Sequence, residues 1–177
     1  MYLYKIKYSL FALGVLLLGC IGYSQNNEII QELFLGWQTS NCSIGEEKQL
    51  IKKLRVNADF ILPVLIRGFE EGPSIDYLKT VTQAEIKRLR INQETIANQS
   101  INTGLSEEDL KIAREINIEQ EEGRIQKGVR KGWKTRALTG IGYLNTEDSK
   151  AYIQEILKDE KNEFNPLLKS ILHRNKK

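Results

Sequence analysis

RALTGIGYLNTEDSKAYIQEIL, residues 136–157, is the stretch whose reading decides the fold. Leu138, Ile141 and Leu144 recur at steps of three, the spacing of one face of a helix. Asn145, Thr146 and Glu147 break that run, and Ala151, Ile153, Ile156 and Leu157 resume it on a second helix leading to Asp159. No Lys-Ser or Lys-Thr follows Gly140 or Gly142, so neither belongs to a phosphate loop. Close packing of one helix on another explains them better. A helical hairpin of this kind has an apolar face that it cannot bury alone, so neighbouring elements must stack against it.

The same period extends outward in both directions. Downstream, Asn165-Pro166 opens a helix carrying Leu167, Leu168, Ile171 and Leu172. Upstream, Ile29, Ile30, Leu33, Phe34 and Trp37 share a face, with a loop expected at 39–41. Leu50, Ile51 and Leu54 mark a helix within 46–55, and a further one runs from Phe60 to Glu71. Asn57 or Asp59 is placed to cap that helix, and Pro63 is expected near its first turn, where a missing amide hydrogen costs least. Gly72-Pro73-Ser74 ends it, with Ser74 free to cap the next. Ile75, Leu78, Val81, Ile86 and Leu89 then predict a long amphipathic helix to about Ala97. A polar loop follows at 98–104. Ser106 and Asp109 suggest a capping box before a helix carrying Leu110, Ala113 and Ile116, and Glu119 to Glu122 an acidic face or helix end. Nowhere do β-branched residues alternate as in a strand. The fold class is all-α.

The segment from Val129 to Leu172 resembles a HEAT-type helical repeat. Its Arg136-Ala137-Leu138, its Ile141-Gly142-Tyr143-Leu144 and its second helix closing at Asp159 carry the likeness, while Phe164-Asn165-Pro166 stands where that family usually has Val-Arg. A fainter copy spans Glu46 to Glu71. The resemblance implies antiparallel hairpins stacked as a short α-solenoid, with an irregular helical bundle as the alternative. On this reading residues 25–177 form a single helical domain, with hairpins at about 44–72 and 129–172. The long helices of about 74–125 are an insertion between them.

Residues 1–24 read as an export signal. Lys5 and Lys7 supply a basic start, and the twelve residues Leu10–Ile21 an apolar run. As helix that run would span about 18 Å, short of the ~30 Å hydrocarbon core. Gly22-Tyr23-Ser24 places small residues ahead of a cleavage site before Gln25. A second processing route competes, because Leu17-Leu18-Gly19-Cys20 resembles a lipobox in which Cys20 is acylated and becomes the new N-terminus. Cleavage after Ser24 is favoured, and predicts a periplasmic or secreted protein. It leaves Cys42 as the one thiol, expected to be buried.

Charge and chemistry-bearing residues bound the function. Removing Lys5 and Lys7 from 26 basic residues leaves 24 against 23 acidic, a net charge of +1. So balanced a mature chain makes no global case for nucleic acid. His173 stands alone near the end of the chain, and no metal-ligand spacing, cofactor loop or nucleophile motif occurs. Neither a cofactor nor a metal is expected. The acidic runs at Glu70-Glu71, Glu107–Asp109 and Glu119–Glu122 read as solvated faces. An enzyme or ligand binder that uses such carboxylates in a helical cleft is the alternative to a non-catalytic interaction scaffold. The one pattern pointing to a partner is Lys127, Arg130, Lys131 and Lys134, whose i, i+3, i+4, i+7 spacing aligns four cations on one helical face. Arg124 lies one step back, and Trp133 and Arg136 flank the strip. Trp37 and Trp133 fit core or groove-lining positions. A strip of this kind fits a protein partner with an acidic face, or anionic headgroups.

The export reading makes a direct prediction. The native protein, purified from its own cell envelope and analysed by intact mass and N-terminal sequencing, should begin at Gln25. A chain beginning at acylated Cys20 would establish the lipoprotein route, and full-length cytoplasmic protein would defeat both.

Overall fold

The computed structural model describes residues 27–40, 44–98 and 117–174, with residues 106, 108, 111 and 115 between the last two. Among these the chain is all-helical, without a strand. Seven helices have bounds among the described residues: α1 (27–39), α2 (Ile44–Val56), α3 (Ala58–Glu71), α4 (Ile75–Asn98), α5 (Ile118–Leu144), α6 (Glu147–Ile156) and α7 (Asn165–Arg174); Glu108 and Lys111 are helical as well. The export segment with Cys20, Cys42 and the expected capping box with its helix at Leu110, Ala113 and Ile116 lie outside the described residues. The helices form two compact units, one from the residues up to Ile66 together with those from Leu138 onward, the other Arg67–Ala137. The boundaries between them fall inside α3 and α5.

The first unit is organised around the last two turns of α5. Leu138 and Ile141 are fully buried there, with Trp37 of α1, Leu54 of α2, Ile61 and Leu65 of α3, Ile153 of α6 and Leu168 of α7. Each such side chain contributes roughly 1.5–3 kcal/mol on burial. Gly140 and Gly142 explain how so many elements reach one short segment. A Cβ at Gly140 would lie 2.7 Å from Trp37 Nε1 and 2.9 Å from Leu65 Cδ2. At Gly142 it would overlap Ile171 Cγ2 and crowd Ile171 Cδ1 at 3.2 Å. The glycines of the quoted stretch are close-packing residues.

The hairpin turn follows from its residues. Asn145 takes the left-handed conformation (φ 55°) that ends α5, a geometry asparagine tolerates better than most residues. Thr146 then caps α6, its Oγ1 accepting from the Ser149 amide at 3.2 Å, while Ser149 Oγ donates to the Thr146 carbonyl at 2.9 Å. Ser149 is thereby buried with its polar atoms bonded. Of the apolar face expected here, Leu138, Ile141 and Ile153 are fully buried, whereas Ile156 and Leu157 are half-buried at the helix end. α6 packs on α7. The link between them is tied by Asn165 Nδ2 donating to the Asp159 carbonyl (2.8 Å) and the Phe164 amide donating to Asn162 Oδ1 (2.9 Å).

The α2–α3 junction corrects two local expectations. Asn57 Nδ2 donates back to the Lys53 carbonyl at 2.9 Å, so its side chain closes α2 instead of capping α3. Its own carbonyl accepts from the amides of Phe60 and Ile61 and opens α3. Because the helix starts at Ala58, Pro63 stands at its sixth position, beyond the first turn. It removes the usual i+4 donor to the Asp59 carbonyl, at an exposed site.

The second unit combines the end of α3, α4 and most of α5. Gly72 (φ 80°) stops α3, and the Tyr77 amide donates to Ser74 Oγ at 3.2 Å, the cap expected for α4. Leu78, Thr82, Trp133 and Ala137 are buried. Farther along both helices burial fades to the half-buried Ile86, Leu89, Ile125 and Val129. Glu121 and Glu122 lie near the opening of α5, where carboxylates suit the helix dipole.

Overpacking Gly142 tests the central contact. Gly142→Ala should destabilise the protein by about 1–3 kcal/mol in urea unfolding, since the Ile171 γ-methyl is fixed by β-branching. In an Ile171→Ala background the same change should cost markedly less, because neighbours in contact couple. Equal costs in both backgrounds would remove this contact as the limiting one.

Candidate interaction surface

The four cations singled out from the sequence all lie on α5, a continuous helix of 27 residues. From Gly123 to Thr146 the chain carries six cations and no acid. At about 100° per residue, Lys127, Arg130, Lys131 and Lys134 occupy an arc about 100° wide. Lys127, Arg130 and Lys131 are exposed, and among the described residues neither Lys127 nor Arg130 makes an ion pair. Glu121 pairs with Arg124 at 3.2 Å, and Glu122 accepts from Gln126 at 3.3 Å, so these acids engage the start of the strip only. A pair this exposed adds little stability.

Lys134 is held differently. Its Nζ donates to the Glu70 carbonyl at 3.4 Å and stands 5.5 Å from the centre of the Phe69 ring. Carbonyls at a helix C-terminus carry partial negative charge, so a lysine there satisfies an acceptor and the α3 dipole together. Its stem also runs past Gly72, where a Cβ would come within 3.9 Å of Lys134 Cε. This end of the strip is therefore structural as well as cationic.

Trp133 does not share the strip. It lies about 120° around the helix from Lys127 and is buried, its ring centroid 4.8 Å from that of Tyr77 at a tilt of 56°. Its burial fits the core position that the sequence allows for it beside the strip. The reason is the apolar period through Ile125, Val129 and Trp133, which defines the inward face. Arg136 is half-buried near the same face.

A polar cluster that no sequence pattern announces occupies the first unit. Tyr143 has its ring edge on Trp37 (centroids 5.8 Å, 90°). Arg174 Nη1 donates to its hydroxyl at 3.2 Å, that hydroxyl reaches Glu47 Oε1 at 3.5 Å, and Arg55 Nε donates to its carbonyl at 2.8 Å. These partners are separated from Tyr143 by 31, 96 and 88 residues. Local periodicity reveals none of these pairings.

No three histidine, cysteine, aspartate or glutamate side chains converge among the described residues as metal ligands would. No helix among them is long and apolar enough to cross a membrane. Glu70, Glu71 and His173 are exposed.

The division between anchor and strip is measurable. Trp133→Ala should cost roughly 3–5 kcal/mol in denaturant unfolding, while Lys127→Ala and Arg130→Ala should each stay within about 0.5 kcal/mol of the native protein. A small effect at Trp133 would show that the inward face is misassigned. No family model, curated protein or solved structure matches the chain, so the reading of the strip rests on its own geometry.

Proposed function

We propose that this chain is an exported, non-catalytic helical scaffold that binds another protein through the cationic face of α5. The carrying observation is the acid-free run of six cations in residues 123–146, with Lys127, Arg130 and Lys131 exposed on one helical face. On this reading residues 1–24 direct export and are removed after Ser24. The hairpin of 129–172 is a HEAT-like unit whose tight packing holds the C-terminal end of α5 rigid. Support for a firm platform under the strip comes from the Tyr77–Trp133 contact and from Lys134 on the Glu70 carbonyl. The partner presents carboxylates, because its charge has to complement the strip.

Charge reversal tests the surface without disturbing the fold. Lys127→Glu with Arg130→Glu alters two exposed side chains and leaves Lys134 on its α3 carbonyl. The tagged native protein should recover a partner from envelope extract at low salt, and recovery should fall as ionic strength rises, since exposed charges are screened beyond ~8–10 Å near physiological salt. The double variant, with an unchanged helical spectrum and melting temperature, should lose that partner. Undiminished recovery would sink the proposal.

A further inference from the structure

Three open glycines accompany the cations and narrow the class of partner. A Cβ on Gly123, Gly128 or Gly132 would meet nothing within 4 Å, in contrast to Gly140 and Gly142 on the same helix. Glycine is a poor helix former, and no packing among the described residues accounts for these three. Gly128 and Gly132 are one turn apart, so their bare backbone forms a shallow lane along α5. Arg124, Lys127 and Lys131 edge the lane on one side. On the other stand Ile125 and Val129, both half-buried.

We infer, building on the reading of the strip as an interaction surface, that its occupant is an acidic amphipathic helix of a partner protein. That helix lies lengthwise on α5, its backbone close over Gly128 and Gly132 and its carboxylates against Arg124, Lys127 and Lys131. Charge complementarity selects the acidic edge. The missing side chains let two helix backbones approach more closely than usual, which a flat headgroup surface would not exploit.

The test separates charge from close approach. Gly128→Gln with Gly132→Gln keeps every cation, introduces good helix formers, and should raise the melting temperature. The probe is an alanine-based helical peptide of about 20 residues, long enough to be helical in water, with glutamates along one edge and leucines beside them. Vesicles containing phosphatidylglycerol serve as the comparison, with binding measured by calorimetry at low and physiological salt. The native protein should bind the peptide, and the glycine variant should bind it on the order of tenfold more weakly while vesicle binding stays unchanged. Failure of the native protein to bind the peptide at low salt would overturn the inference. So would equal binding by the variant, a lowered melting temperature, or a preference for vesicles. An envelope partner that depends on Lys127 and Arg130 yet is recovered equally by the glycine variant would overturn this inference alone. Capture indifferent to the cations would overturn the proposed function with it.

Discussion

The approach of Ile171 to Gly142, and of Trp37 and Leu65 to Gly140, sets the geometry of the first unit. Residues two apart on a helix point about 160° away from one another by the shorter arc, so the two glycines receive neighbours on different sides. A side chain at either position would hold α7, or α1 and α3, away from the helix and leave voids beside Leu138 and Ile141. Interiors pack as densely as organic crystals, so such a gap forfeits contacts across a whole layer. Tyr143 stands between the glycines and uses the same closeness, since its ring meets Trp37 while Arg55 reaches its carbonyl.

Much of this was legible in the sequence where the signal is local. The helix period of Leu138, Ile141 and Ile153 gave the buried face, and Ser74 announced the cap of α4 from its position before an apolar run. Close packing at Gly140 and Gly142 is legible from their place in the hairpin pattern, with no phosphate-loop lysine after either. The failures are equally physical. Asn57 or Asp59 fits the cap of α3 from sequence, yet a residue between abutting helices serves both: the Asn57 side-chain amide closes α2 while its carbonyl opens α3. Ile156 and Leu157 fit the period yet are half-buried, because periodicity assigns a face and does not show where the covering neighbour ends. Trp133 adjoins the cations in sequence, but its angle around the helix places it on the inward face with Tyr77, one of the positions its apolar period allows. The Tyr143 cluster was invisible because its partners lie on three other turns of chain, and pairing over 88 or 96 residues leaves no local pattern.

Glycine thus has two meanings along one helix. At 140 and 142 its poor propensity, about 1 kcal/mol per residue relative to alanine, is offset by burial of Trp37, Leu65 and Ile171 against the bare backbone. At 123, 128 and 132 no neighbour among the described residues offsets it. The helix persists there because Trp133 and its half-buried neighbours hold its inward face, so tertiary contact, not propensity, maintains the segment. Composition alone treats all five glycines alike, and only the space around each separates them.

Energetics decide what the cations can contribute. An exposed ion pair contributes ~0–1 kcal/mol, so the strip alone falls well short of the ~8 kcal/mol that a micromolar complex requires. Charge of this kind raises the encounter rate and orients the partner, while lifetime comes from desolvated, closely fitted contact. Lys134, held on the Glu70 carbonyl, has already lost side-chain freedom and costs less to order on binding than the extended side chains of Lys127 and Arg130. On the proposed reading the two requirements fall to adjacent residues of α5: the cationic edge selects for an acidic partner, and the bare backbone lane beside it supplies the close fit that charge alone does not.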